Sequence, residues 1–211
     1  MSADYPVMLR LAGRRCVVVG GGTVALRRTQ RLVACEADIL VVAPRARSEI
    51  GDMAVEGKLW LELRPFEPAY LDGALIAIAA TDDRDVNQAV AQAARARGVL
   101  VNVADDPASG DFTVPAIVRR SNITLGISTG GRSPAFTRFL REQLDAWLTE
   151  DRSLLLELAS EMRRELRATV QQADPSRWQI ALTDPGVAAA IRAGDLDAAR
   201  ERIQAVLTVE P

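Results

Sequence analysis

The segment at residues 17–25, VVVGGGTVA, constrains the fold of this chain more than any other. A run of β-branched residues enters three consecutive glycines, and helix-forming residues follow at once. The spacing Gly20-x-Gly22-x-x-Ala25 is typical of a strand, a tight turn and a helix that begins over a phosphate. Gly20 would permit the turn, and Gly22 would let the backbone approach a pyrophosphate. The N-terminal half is therefore predicted to bind a nucleotide.

Strand and helix signals alternate through the first hundred residues, which predicts an α/β fold with a doubly wound parallel sheet. Apolar runs predict five strands, at 16–19, 39–42, 59–63, 75–80 and 99–103. Helical spacing predicts helices at 23–34 and 83–97, and Gly98 marks the end of the second. Asp83 is expected to cap that helix.

The pattern changes after Pro107. Short strand-like pieces are predicted at 112–114, 117–118 and 123–128, and a helix is predicted from Ser133-Pro134 to about 148. The range 151–207 is predicted to be helical, with starts at Asp174, Asp184 and Asp195. We divide the chain into a nucleotide-binding domain at 1–112, a strand–helix segment at 113–150 and a small helical domain at 151–211.

The composition excludes several kinds of chemistry. The chain has no histidine, so histidine-based triads, histidine-ligated zinc or haem, and imidazole acid–base catalysis are excluded. Lys58 is the only lysine, which argues against a Schiff base. Cys16 and Cys35 form no C-x-x-C pattern and are expected to be buried free thiols. No apolar run approaches the roughly 20 residues that span a bilayer, and a cytoplasmic protein is expected.

Two sites at predicted strand ends suggest particular chemistry. Dinucleotide-binding folds usually have an acidic residue after the second strand that hydrogen-bonds the ribose hydroxyls. This chain has Ala43-Pro44-Arg45 at that position instead. Arg45 or Arg47 could accept a 2′-phosphate, or backbone near Pro44 could contact the ribose, so NAD and NADP both stay open. After the fifth strand, Asp105-Asp106 offers a carboxylate as general base or metal contact, although Asp-Asp-Pro is also ordinary turn chemistry.

The range 115–141 contains basic residues but no acidic ones: Arg119, Arg120, Arg132, Arg138 and Arg141. This excess in a chain of net charge −2 indicates an anionic partner near the turn at 128–131. Aromatic interleaving is poor, so a polycarboxylate fits better than a nucleic acid. The alternative is a solvated helix face with dimer contacts.

Six segments occur in order along the chain: YPV at 5–7, VGGGTVA at 19–25, AATD at 79–82, NVAD at 102–105, FTVPA at 112–116 and STGGRSP at 128–134. Together they resemble one family, the precorrin-2 dehydrogenase/sirohydrochlorin ferrochelatase module of siroheme synthase. The resemblance covers residues 5–150 well and the helical tail only in general character.

The resemblance implies a homodimeric, Rossmann-like enzyme of siroheme biosynthesis, with 113–150 as the dimerisation segment. NAD-dependent oxidation would turn precorrin-2 into sirohydrochlorin, and insertion of ferrous iron, a substrate here, would give siroheme. Neither a resident metal nor a nucleic-acid or membrane partner is implied.

The resemblance also assigns roles to residues. Asp105 corresponds to the catalytic carboxylate. The cofactor contacts correspond to Gly20, Gly21, Gly22, Thr23, Val24, Pro44, Arg45, Thr81, Asn102 and Val103. The tetrapyrrole contacts correspond to Ser128, Thr129, Gly130, Gly131, Arg132 and Arg138.

Two other functions stay open from the sequence. One is a dehydrogenase that lacks the chelatase step. The other is a non-catalytic NAD-sensing module whose arginine segment and helical tail serve a partner or DNA. A generic hydroxy-acid or sugar dehydrogenase ranks last, because the chain lacks the His, Lys or Tyr-x-x-x-Lys machinery that such enzymes usually need.

Overall fold

The computed structural model describes residues 4–168 and 174–208. The chain divides into two compact units, Met1–Val114 and Pro115–Pro211. The finer division into 1–112, 113–150 and 151–211 stays a prediction. Residues 169–173, which belong to the range predicted to be helical, lie outside the described part.

The first unit is built on a five-stranded parallel sheet, which confirms the predicted fold class. Its strands are β1 (Arg15–Val19), β2 (Asp38–Val42), β3 (Trp60–Glu62), β4 (Ile76–Ala79) and β5 (Leu100–Val103). They lie in the order β3-β2-β1-β4-β5. Val19 lies opposite Val42 and Ala79, and Ala79 lies opposite Val103, so the carboxyl ends of β1, β2, β4 and β5 form one edge. The strand order reverses between β1 and β4, where open sheets of this kind bind ligands.

Helices cover both faces of this sheet. They are α1 (Thr23–Val33), α2 (Ser48–Val55) and α3 (Arg84–Arg95), and short 3₁₀ turns lie at Pro68–Leu71 and Pro107–Ser109. Alternation along β1 serves both sides: Val18 packs in the core that contains α1, and Val17 packs in the core that contains α3. Burying each such side chain contributes about 1.5–3 kcal/mol, which is why the strands are almost wholly apolar.

The predicted strand at 112–114 is wrong, because this segment has no ladder partner. Instead the Asn102 side chain donates from Nδ2 to the carbonyl of Phe112 at 2.9 Å. Pro115, which follows, has no N–H to give to a ladder. Helix α2 was not predicted; it is eight residues long, contains Gly51 and has no side-chain cap.

The second unit begins with an antiparallel pair, β6 (Ala116–Arg120) and β7 (Ile123–Ile127). Five helices follow in the described ranges: α4 (Pro134–Trp147), α5 (Glu150–Ala168), α6 (Pro175–Thr183), α7 (Pro185–Arg192) and α8 (Leu196–Thr208). The predicted caps are confirmed, because Asp174, Asp184 and Asp195 each accept a backbone N–H of the helix they precede. Helices α5 to α8 share one apolar core around Leu158, Met162 and Ile203.

The cysteines are free, as predicted, but differ in burial. Cys16 is fully buried in β1, and burial raises the pKa of its thiol to about 11, whereas Cys35 is only half-buried. In the part of the chain that the structure describes, every helix is too short or too polar to cross a bilayer.

The turn between β1 and α1 is wedged between the loops that follow β4 and β2. Gly20 has φ +127°, and a Cβ there would overlap the carbonyl of Ala80. A Cβ at Gly21 would overlap the carbonyl of Arg45, and the Gly21 carbonyl accepts the N–H of Arg47 at 3.0 Å. Gly22 differs: its φ is −85°, and a Cβ there would meet nothing within 4 Å.

We therefore expect the three glycines to respond differently to alanine. Gly20→Ala and Gly21→Ala should each lower the free energy of unfolding by about 3 kcal/mol or more, because backbone must move. Gly22→Ala should cost less than about 1 kcal/mol, the difference between glycine and alanine at a helix N-cap. Urea denaturation of the three variants measures this, and a Gly22→Ala protein as unstable as Gly20→Ala would contradict it.

Candidate functional site

The start of α1 offers backbone donors at the ligand edge of the sheet. Gly22 is its N-cap, no side chain caps the helix, and the first turn contains no acidic residue. The N–H groups at the start of a helix lack intrahelical acceptors, and the helix dipole favours an anion there. Because neither φ nor packing requires glycine at Gly22, its missing side chain leaves room for a ligand over Thr23 and Val24.

The loop after β2 carries two arginines in different states. Nη2 of Arg47 lies 2.8 Å from Oε1 of Glu49, and this pair lowers the pKa of the Glu49 carboxyl to about 2. Arg45, next to the exposed Pro44, is itself exposed and forms no ion pair within the described ranges. Of the two arginines considered for a 2′-phosphate, Arg45 is thus the available one.

Asn102 brings an unsatisfied acceptor to β5. The residue is 3% exposed; its Nδ2 donates to the carbonyl of Phe112, while its Oδ1 is buried without a hydrogen-bond partner. Leaving such an acceptor unsatisfied costs about 1–3 kcal/mol. A bound group with an N–H would satisfy it. The uncapped helix, the open space at Gly22 and this orphaned oxygen all fit a nicotinamide dinucleotide.

Asp105 lies two residues beyond β5, and a hydrogen-bond network holds its side chain. Nδ2 of Asn87, on the first turn of α3, donates to Oδ1 of Asp105 at 3.1 Å. Asn87 also binds Thr81, at the end of β4, so the amide joins two neighbouring strand ends. On the other side, Nε of Arg84 lies 4.0 Å from Oδ2 of Asp105, a solvent-exposed pair of little energetic value.

Asp105 faces a cleft of about 130 Å³. Its walls are formed by Arg84, Asn87, Gln88, Val103, Asp105, Asp106 and Ser109. The neighbouring Asp106 accepts a hydrogen bond from the Ser109 hydroxyl at 2.7 Å, and this bond holds the pKa of the Asp106 carboxyl below its usual range. Asp106 is therefore the weaker candidate base.

Asp83 caps α3, as predicted: its Oδ1 accepts the N–H groups of Asp85 and Val86. Asn87 is the residue of the candidate site that the sequence did not predict. It is 2% exposed and lies on the same helix face as Val90, Ala91 and Ala94. A polar residue within an apolar helical stripe was the signal that could have indicated it.

The residues predicted to bind the tetrapyrrole lie in the second unit. The Ser128 hydroxyl accepts the N–H of Gly130 at 3.2 Å, and the hydroxyls of Thr129 and Thr137 lie 2.8 Å apart. Both hydroxyls at 128 and 129 thus shape the turn that contains Gly130 and Gly131.

The arginines of this segment differ in their partners. Arg120 and Arg141 lie 3.8 and 3.9 Å from the carboxylates of Asp145 and Glu142. Arg132 and Arg138 are exposed and form no ion pair within residues 4–168 and 174–208. Across those same ranges, no group of three or more Cys, Asp and Glu side chains is arranged to hold a metal ion.

Comparison with known proteins agrees with this geometry. Residues 7–116 match the family model NAD_binding_7, described as "Putative NAD(P)-binding". The chain is 39% identical over 202 residues to a siroheme synthase of Chromobacterium violaceum, covering 95% of this chain and 43% of that protein. It is 37% identical over 205 residues to one of Methylococcus capsulatus, covering 96% and 43%. It therefore spans less than half the length of these relatives.

A solved structure is similar over nearly the whole chain. The protein named SirC, precorrin-2 dehydrogenase, superposes with a TM-score of 0.76 at 30% identity, covering 96% of this chain and 98% of that one. Together with the ordered motifs and the matching NAD(P)-binding model, this shows that the chain belongs to the family of precorrin-2 dehydrogenases and the siroheme synthase N-terminal module.

Proposed function

We propose that this chain oxidises precorrin-2 to sirohydrochlorin in siroheme biosynthesis, with NAD as the electron acceptor. The observation that carries the proposal is that one edge of the sheet has two features. The start of α1 at Gly22 has no side-chain cap and could bind the dinucleotide, and the Asp105 carboxylate is held by a hydrogen bond from Asn87. The relatives' names support the substrate and the pathway. A cytoplasmic location belongs to the same proposal.

The chemistry needs little from the protein besides positioning and one base. NAD, when bound, would supply the acceptor for the hydride that leaves the tetrapyrrole. Asp105 accepts the proton that the substrate loses with it, so two electrons and two hydrogens leave the macrocycle in total. The carboxylate is suited to this because it is 44% exposed and faces the cleft. Gly20 to Val24, Pro44, Arg45, Thr81, Asn102 and Val103 hold the cofactor; Arg45 leaves NADP as a second acceptor.

Iron insertion is the second proposed step. Placing ferrous iron in sirohydrochlorin requires two pyrrole N–H protons to leave, and Asp105 is an accessible base for them in a chain without histidine. Iron is a substrate in this step. A dehydrogenase without this activity is the alternative, and adding iron to the assay separates the two.

The principal test is the absorbance of the protein with precorrin-2 and NAD under anaerobic conditions, before and after ferrous iron is added. We expect the sirohydrochlorin spectrum, then accelerated formation of siroheme. Asp105→Asn, which keeps the size of the side chain, should slow oxidation at least about 100-fold, the usual contribution of a general base. Asp106→Asn, the matched control, should have a much smaller effect.

The outcomes of this assay distinguish the proposed enzyme from its alternatives. Oxidation without accelerated metallation leaves a dehydrogenase alone. No spectral change in protein shown to bind NAD would overturn the proposed function and favour the NAD-sensing alternative. Full activity in Asp105→Asn would remove the proposed base.

Binding of the tetrapyrrole is proposed to use the turn at Ser128, Thr129, Gly130 and Gly131 with Arg132 and Arg138. The substrate carries eight carboxylates, and these two arginines have no competing carboxylate among the described residues. A charge-assisted arginine–carboxylate hydrogen bond contributes about 1.5–3 kcal/mol.

We therefore expect Arg138→Glu to raise the KM for precorrin-2 about tenfold or more, with the KM for NAD unchanged. The control is Arg163→Glu, which makes the same charge reversal at an exposed position of α5. Steady-state kinetics with each substrate varied in turn measures both constants. An equal rise in both KM values would show a general defect and contradict the assignment.

The chain is also proposed to form a homodimer through α4. This 14-residue helix has no buried residue, although Phe136, Phe139 and Trp147 are 52%, 50% and 53% exposed. Exposed apolar surface of this kind marks an interface, and most soluble homo-oligomers are two-fold dimers.

Sedimentation equilibrium tests the dimer. We expect twice the mass of the chain for the wild type and the monomer mass for Phe139→Glu, because the substitution puts a charge into the apolar contact. Val55→Glu is the control, since Val55 is 90% exposed on α2 in the other unit. A wild-type chain that sediments as a monomer at tens of micromolar would contradict the proposal.

A further inference from the structure

The side-chain amide of Asn87 makes four hydrogen bonds, all to residues of the candidate site. Its Oδ1 accepts the backbone N–H of Thr81 at 3.1 Å and the Thr81 hydroxyl at 2.8 Å. Its Nδ2 donates to the carbonyl of Thr81 at 3.1 Å and to Oδ1 of Asp105 at 3.1 Å. Both N–H donors of the amide are therefore used, while the single hydrogen of the Thr81 hydroxyl is shared between Oδ1 of Asn87 and the carbonyl of Asp83, which lies 2.9 Å away.

This network fixes which way the amide faces. The backbone N–H of Thr81 can only donate and its carbonyl can only accept, so the oxygen and nitrogen of Asn87 cannot exchange places. The NH₂ group must therefore face Asp105. Because NH₂ only donates, Oδ1 of Asp105 must act as the acceptor in this bond. The other oxygen, Oδ2, is left to exchange protons.

We propose that Asn87 is a positioning residue that holds Asp105 so that Oδ2 alone takes the substrate's proton. The inference rests on the proposed function. In this step the bond from substrate to hydrogen breaks, its electron pair stays with the tetrapyrrole, and a new O–H bond forms at Oδ2. Arg84 and Asp106 are the other charged groups that line the cleft.

The burial of Asn87 supports more than a structural role. At 2% exposure it lies among Val90, Ala91 and Ala94, where an apolar side chain would bury without loss of hydration. Asp105 is 44% exposed and would otherwise sample several rotamers. The amide restricts this side chain at the end of β5 and ties it to Thr81 at the end of β4, a proposed cofactor contact.

The first test is Asn87→Asp, which keeps the shape of the side chain and the acceptors for the Thr81 N–H and hydroxyl but removes the donors to Asp105 and to the Thr81 carbonyl. We expect kcat for precorrin-2 oxidation to fall on the order of 10-fold to 100-fold, as for a misplaced catalytic group. The acidic limb of the pH–rate profile should move to higher pH, because two carboxylates within hydrogen-bonding distance share a proton. Gln92→Glu makes the same change from amide to carboxylate at an exposed position of α3, outside the cleft, and should alter neither.

The second test needs no cofactor or substrate. Asn87→Asp should lower the free energy of unfolding when residue 105 is Asp. In the Asp105→Asn background the part of the penalty that comes from Asp105 should disappear, because the new amide at 105 can donate to the carboxylate at 87. The lost bond to the Thr81 carbonyl costs the same in both backgrounds. Urea denaturation of the two single variants and the double variant measures this coupling. The double variant should stay inactive, since it has no base at 105.

Two results would overturn the inference: a wild-type kcat and pH profile in Asn87→Asp, or additive effects of the two substitutions on stability. If the wild-type chain does not oxidise precorrin-2, the proposed function fails separately. The stability cycle then decides the inference: coupling supports the positioning of Asp105, and additivity removes it.

Discussion

The arrangement of the site depends on a close backbone approach at the turn between β1 and α1. Gly20 lies against the carbonyl of Ala80 and Gly21 against that of Arg45, with no space for a side chain at either. This contact draws the loops after β4 and β2 to the start of α1. Gly22 is the one glycine of the three that faces open space. Two glycines thus serve the fold, and the third leaves open space at the start of α1.

The two sides of this sheet edge offer different chemical groups. The β1–β2 side offers backbone donors at the start of α1 and an available arginine at Arg45. The β5 side offers Asp105, which is reachable from solvent and faces the cleft. Asn87 connects Asp105 to the end of β4, the strand that lies between β1 and β5, because it binds Thr81 and the carboxylate after β5 at once. In a chain without histidine, this arrangement gives the sheet edge an oriented carboxylate.

The sequence predicted those features whose signals are local. The sheet, the glycine turn and the aspartate caps each depend on residues within a few positions, and the structure confirms them. Asn87 was missed because its bond to Asp105 joins residues 18 positions apart. The strand at 112–114 was wrong because the Asn102 side chain takes the carbonyl of Phe112 instead. The roles of Arg132, Arg138 and the turn at 128–131 stay predictions, since the resemblance and charge pattern are their basis.

The most direct test of the nucleotide site is a calorimetric titration of NAD into the wild-type chain and Gly22→Ala. We predict that the wild type binds NAD and that the alanine variant, which should lose less than about 1 kcal/mol of stability, binds at least about tenfold more weakly. That loss of affinity corresponds to about 1.4 kcal/mol. It would arise because the added methyl group occupies the space left for the ligand. Equal affinity in the two proteins would contradict the assignment of this edge as the nucleotide site.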